Sequence, residues 1–468
     1  MSMSRRHFIK TCGWVTVGFM GLQNLSCVSS QGDAVINKAL IAEGYGPLLR
    51  DPNGILDLPE GFKYKIISRM GDKMSDGFFV PGAPDGMATF PGPNGLTLII
   101  RNHEVNPGDS GAFGKEHELF KQIDPDRVYD AGGGVSPGCG GTTTIVFDTK
   151  KQEVVTEYLS LAGTVRNCAG GPTPWNSWVT CEETDDRKGS NGRVILEKDH
   201  GYNFEVPASA EIKLADPVPL IDMGRFRHEA IAVDPKSGIV YQTEDRDDGL
   251  IYRFIPNTPD KLADGGKLQA LVIIDGPKET RNWGSAKDNI AVGTSYNVKW
   301  IDMDNVESPK DDLRDRGYDA GAARFARGEG MWRGEDGIYF ACTNGGKAEL
   351  GQIWRYKPGQ MEGTPDEHKS PGRLDLFVEP NDSNLVENAD NLTVSPWGDL
   401  IVCEDRKGDI VRLVGITPKG TLYTLANHHK NTEFAGVTIS PDGTTMFVNM
   451  QGIGWTLAIT GPWGSRMA

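Results

Sequence analysis

One pattern recurs six times along the chain: a polar residue, an apolar run, a tight turn, a second apolar run and a closing polar residue. It runs from Asp85 to Asn102, Asn167 to Glu182, Glu229 to Glu244, Glu329 to Asn344, Asp390 to Glu404 and Glu433 to Asn449, with end-to-end offsets of 14 to 17 residues. The centres carry turn chemistry, such as Pro235-Lys236-Ser237-Gly238, Gly334-Glu335-Asp336-Gly337 and Pro441-Asp442-Gly443. Each unit reads as a β-hairpin, and helical periodicity is scarce elsewhere. Because a hairpin folds back on itself, its first and last residues meet at one end of the sheet. Six such hairpins with variable insertions predict an all-β, six-bladed β-propeller over residues 28–468 as a single domain, with polar residues lining one mouth of a central channel. A pair of β-sandwiches is the alternative architecture.

Composition agrees with a turn-rich, well-filled fold. Glycine is 59 of 468 residues, and hydrophobic residues make up 38%. The formal net charge of −15 repels phosphate backbones, so nucleic-acid binding is not expected, whereas cation binding is. Ser4-Arg5-Arg6-His7-Phe8-Ile9-Lys10, followed by a modest apolar stretch, predicts a Tat-type export signal over residues 1–27. Its cargo would cross folded, through the Tat machinery, to the periplasm, the exterior or the envelope. Leu25-Ser26-Cys27 makes Cys27 a candidate lipid anchor. Five cysteines remain beyond the signal, an odd number that cannot all pair.

Three tempting motifs fail on context. Gly134-Val135-Ser136-Pro137-Gly138 has the spacing of a nucleophile elbow, but Pro137 lacks the N–H that an oxyanion hole requires. The glycine-rich Gly138–Thr144 stretch lacks the Gly-Lys-Ser/Thr of a phosphate-binding loop. Asp245-Arg246-Asp247-Asp248-Gly249 resembles part of a calcium loop without its distal Glu.

The hairpin ends supply the chemistry. Cys181, Glu182, Glu183, Glu229, Glu244, Asp245, Glu329, Asp390, Asn391, Glu404, Asp405 and Glu433 fall at or beside them. So many anions in a partly desolvated channel are costly unless cations neutralise them. Oxygen ligands suit calcium, and a thiolate among them suits a softer ion such as iron. Arg166, Arg227 and Arg327 precede the candidate ring by one or two residues, as phosphate-holding forks would.

The segment Asn167–Glu183, with Arg227-His228-Glu229, Ala326-Arg327-Gly328-Glu329-Gly330, Asp390-Asn391-Leu392 and Gly461-Pro462-Trp463, resembles the signature of PhoX-type alkaline phosphatases. The resemblance covers roughly residues 45–463. It implies a propeller holding Fe3+ and Ca2+ and hydrolysing small phosphate monoesters outside the cytoplasm. On that resemblance Cys181 is the iron-bound thiolate, Glu229, Glu329 and Asp390 are metal carboxylates, and Arg327 holds phosphate. The hairpin-end argument adds Glu182, Glu404 and Glu433 as metal ligands. A calcium-dependent lactonase-like propeller hydrolase and a non-catalytic envelope binding propeller are the competing readings. The first calls for no thiolate.

Overall fold

The computed structural model describes residues 40–191, 194–284 and 289–465. The export signal and Cys27 lie outside them. All six hairpins form. They are β1 (Pro84–Pro91) with β2 (Thr97–His103), β3 (Asn167–Pro172) with β4 (Ser177–Glu182), and β5 (His228–Val233) with β6 (Val240–Glu244). The remaining three are β7 (Gly328–Gly334) with β8 (Gly337–Cys342), β9 (Ala389–Val394) with β10 (Leu400–Glu404), and β11 (Phe434–Ile439) with β12 (Thr445–Met450). Each is antiparallel and extended outward by further strands. The first strands pack in a closed circle, β1 on β3, then β5, β7, β9, β11 and back to β1. The fold is an all-β, propeller-like ring.

The sheets do not separate into six discrete blades, which corrects the sequence expectation. Strand Ser295–Asp302, from the long insertion between the third and fourth hairpins, pairs with Gly266–Ile273 on one side and Gly372–Val378 on the other. That fuses two hairpin units into one nine-stranded sheet and leaves neither outer edge bare. The second hairpin carries only Asn203–Pro207, giving three strands, and the fifth is widened to six by Leu56–Pro59 and Leu48–Leu49. Lys63–Arg69 pairs with Trp455–Thr460 in the sixth unit, so residues from the two ends of the described chain close the circle together.

Two features bring the inner strands close. All six carry a register shift near their start, between Pro84 and Met87, Asn167 and Gly170, His228 and Ile231, Gly328 and Met331, Ala389 and Leu392, and Ala435 and Thr438. Such bulges bend the strand and re-aim the side chain beside them. Glycines then permit backbone contact: a Cβ on Gly330 would lie 2.7 Å from Asp390 O, and one on Gly436 (φ +60°) 2.0 Å from Asp85 O. The channel is consequently pinched to a cavity of about 20 Å³ among Met87, Trp178, Met331 and Trp332, room for about one water. Below the ring, then, the channel is narrow.

Candidate metal centre

The backbone repeats one hydrogen bond six times at the mouth. The residue after each second strand donates its N–H to the carbonyl of the residue before each first strand: Glu104 to Ala83, Glu183 to Arg166, Asp245 to Arg227, Thr343 to Arg327, Asp405 to Asn388 and Gln451 to Glu433. Three tiers of equivalent positions follow. The entering residues are Ala83, Arg166, Arg227, Arg327, Asn388 and Glu433. The bulge residues, two further on, are Asp85, Cys168, Glu229, Glu329, Asp390 and Ala435. The exit residues are Glu104, Glu183, Asp245, Thr343, Asp405 and Gln451.

The bulge and exit tiers converge. Cys168, Glu183 and Glu229 each offer a ligand atom, all within 4.8 Å of one another, and so do Glu229, Glu329 and Asp390. Glu229 belongs to both groups. Among the sequence-chosen ligands, Glu229, Glu329 and Asp390 therefore meet. Glu433 stands close by in the entering tier, with Asp405, Asp390 and Asp85 around it.

Three expected ligands go elsewhere, and strand alternation explains two of them, Glu182 and Glu404. Successive side chains alternate sides, so the last residue of a second strand faces away from its exit-tier neighbour. Glu182 turns into its own sheet, where it accepts from Val165 N at 3.0 Å, Gly201 N at 2.8 Å and His200 Nδ1 at 2.7 Å. Glu404 is taken by Arg412, with Nη2 at 2.6 Å, and by Glu387 N at 2.8 Å. The equivalent Glu244 binds Leu250 N and Tyr252 Oη. Cys181 occupies the position that Asn102, Thr243 and Asn449 use to bind the backbone of the next inner strand. It packs with Val179, Ile231 and Val240 in an apolar cluster. The thiol in the ring is Cys168.

Sequence reasoning had Cys168 and Asp85 in view without assigning them. The signal that finds them is position, one residue after the first paired residue of each hairpin, rather than the hairpin end itself. The five described cysteines are all buried and unpaired.

The electrostatics show what the ring lacks. Burial, then the charges of Asp390, Glu183 and Asp85, drives the Glu229 carboxyl well above its ordinary range. Burial followed by Asp245, Asp390 and Glu229 does the same to Glu329, although Arg327 opposes it. Burial and Asp405 raise Asp390 to about 7, and burial and Asp245 raise Glu183 to about 8. Burial and a hydrogen bond with Asp405 take Glu433 to about 10. Buried Asp85 Oδ1 has no hydrogen-bond partner. Carboxylates deprived of water and facing one another have two remedies, protons or multivalent cations. Oxygen donors, one sulfur donor and an orphaned buried oxygen fit the second.

Arginine frames the groups. Arg327 Nε and Nη2 reach Asp245 at 2.8 and 3.0 Å, and Nη2 reaches Glu329 at 2.8 Å. Its side chain keeps 31% of its exposure at the mouth. Arg166 binds Glu104 at 2.6 Å and also Glu183. Arg227 reaches Glu183 only at 3.9 Å and is held by Asp185. The motifs set aside in the sequence are structural. Ser136 exchanges hydrogen bonds with the backbone of Ile195, and Asp248 pairs with Arg314.

The family model described as "Alkaline phosphatase PhoX" matches residues 43–153 and 140–454. The chain belongs to the alkaline phosphatase PhoX family. As a member it is a phosphoric monoester hydrolase, and the family is metal-dependent. The fold is similar to that of Pseudomonas fluorescens PhoX, solved in complex with vanadate, a transition-state analogue, with a TM-score of 0.64 at 18% identity over 91% of this chain and 98% of that one. More distant similarity reaches a gluconolactonase from Xanthomonas campestris, with a TM-score of 0.34 at 12% identity over 89% of this chain and 98% of that one. It also reaches the pyranose dehydrogenase PQQ domain of Coprinopsis cinerea, with a TM-score of 0.31 at 9% identity over 88% and 98%. No curated protein sequence matches significantly.

Beneath this PhoX-family ring, His200 bridges Glu182 Oε1 at 2.7 Å and Asp130 Oδ2 at 3.2 Å, all three fully buried. Burial lowers its pKa, but Glu182 and Asp130 outweigh that and carry it from 6.5 up to about 9. The folded state thus binds the proton more tightly than the unfolded chain. This contribution is whole below pH 6.5 and disappears as pH rises through about 9. The thermal midpoint should fall across that window, and His200→Gln should flatten the fall. Calorimetry at half-unit pH steps checks both.

Proposed function

We propose that this chain is an exported, metal-dependent phosphatase that hydrolyses small phosphate monoesters at the ring, with iron in the sulfur-containing group and calcium in the all-oxygen group. The observation that carries the reading is the pair of largely buried ligand groups hinged on Glu229, with the partly exposed Arg327 bound to Glu329. Cys168, Glu183 and Glu229 suit a ferric ion, because a thiolate favours a transition metal. Glu229, Glu329 and Asp390 suit calcium, which takes oxygen ligands only. Bound cations would supply Lewis-acid neutralisation of the phosphate oxygens. The vanadate carried by the Pseudomonas fluorescens protein is consistent with a phosphoryl-transfer site in this fold.

The chain's own residues perform the rest. Arg327, bound to Glu329 of the all-oxygen group and partly exposed, supplies a cation, through Nη1 above all, for the equatorial oxygens of a phosphoryl group as their charge changes. Asp245 holds two nitrogens of its guanidinium and fixes its plane. The narrow cavity below, about 20 Å³, has no room for an ester, so the mouth is the side from which a substrate reaches the ring. Arg5, Arg6 and the apolar stretch after them support Tat export, and Cys27 would carry the lipid if the mature chain is anchored. Arg327→Ala should lower kcat/KM for p-nitrophenyl phosphate by about 10²–10³-fold while metal content stays at the wild-type level. Equal activity in the variant would remove Arg327 from the site.

A further inference from the structure

Arg166 and Arg327 are structural counterparts. Both occupy the entering tier, two residues before Cys168 and Glu329 respectively. Both hold left-handed backbone, φ 49° and 51°, unusual for a long side chain. Their side chains remain 28% and 31% exposed at the same mouth. Each touches a carboxylate of one ligand group, Arg166 at Glu183 and Arg327 at Glu329. Arg227, the third arginine of the tier, lacks the left-handed backbone and is tied to Asp185.

The whole third hairpin, with Glu229 at its head, stands between the two arms. With a phosphoryl group held by Arg327 at the Glu329 end, Arg166 faces the leaving-group side with its Nε on Glu183 O at 3.0 Å and its Nη2 on Glu104 and Glu183, which leaves Nη1 as the edge open to a ligand. Asn106 Oδ1, at 3.2 Å, is the sole hydrogen-bond partner that Arg166 Nη1 has among the described residues, so this edge of the fork is lightly engaged. We infer that Arg166 is a specificity-determining arm, recognising a second anionic group, carboxylate or phosphate, on the leaving-group side of the ester. The inference rests on the phosphatase reading above and refines it.

Phenyl phosphate and its 2-, 3- and 4-carboxy derivatives make a ruler for this arm. The wild type should favour at least one carboxy isomer. Arg166→Gly, which suits the left-handed backbone, should reduce the carboxy-to-plain ratio of kcat/KM for that isomer at least tenfold. Arg166→Lys should restore part of the ratio, and elemental analysis should find wild-type metal content in both variants. A ratio unchanged for all three isomers overturns the inference and leaves the phosphatase reading standing. Loss of metal together with hydrolysis of all four esters in both variants also overturns it, because Arg166 would then be scaffold. Failure of the wild type to hydrolyse any of the four esters overturns the phosphatase reading and the inference with it.

Discussion

Glu229→Gln should abolish phosphatase activity and deplete both kinds of metal together. Glu229 is the member common to both ligand groups, buried at 3% exposure, with its ligand atom within 4.8 Å of Cys168 and Glu183 on one side and of Glu329 and Asp390 on the other. An amide keeps the shape and removes the charge. Groups merely supporting a ligand typically cost 10–100-fold in metal affinity or activity when removed, so a shared ligand should cost more than about 100-fold. The control is Glu244→Gln, in the same hairpin, whose carboxylate faces away toward Leu250 N and Tyr252 Oη. That variant should keep its metals and change chiefly in stability. Metal analysis and p-nitrophenyl phosphate turnover on both proteins check the pair. Full metal content in Glu229→Gln would dissolve the hinge on which the two groups depend.

Exchanging the two candidate thiols should give opposite outcomes. Cys168→Ser should lose iron and the visible absorption of a thiolate–metal bond, with activity falling by more than about 100-fold on the same reasoning. Cys181→Ser should keep both. Its cost should be a loss of stability, because a hydroxyl replaces a thiol within the apolar cluster of Val179, Ile231 and Val240. An unpaired buried hydroxyl costs about 1–3 kcal/mol. Visible spectroscopy and denaturant unfolding on both variants separate the cases. Iron retained in Cys168→Ser would return the thiolate assignment to Cys181.

The contrast between these cysteines shows how far the sequence could be read. The hairpins were legible because their turns and apolar runs are local, and Glu229, Glu329 and Asp390 were legible because each opens one. Glu182 and Glu404 were misread because a strand reverses its facing at every residue. A position that is right to within one residue is therefore on the wrong side of the sheet. Only pairing registers such as Asn167 with Glu182 and Ala389 with Glu404 fix the phase. Cys181 was named as the thiolate from the resemblance and its place at a hairpin end, whereas the bulge after Asn167 is what places Cys168 in the ring. The fusion of two sheets was invisible for a different reason. Strand Ser295–Asp302 has two pairing partners, and the farther one, Gly372–Val378, lies more than seventy residues along the chain.

The most direct test of the central claim is elemental analysis of the full-length protein, purified without added metal, with turnover measured before and after chelation. The account predicts iron and calcium bound to each chain, and turnover lost with them and restored on their return. A metal-free protein that hydrolyses p-nitrophenyl phosphate at full rate would contradict it.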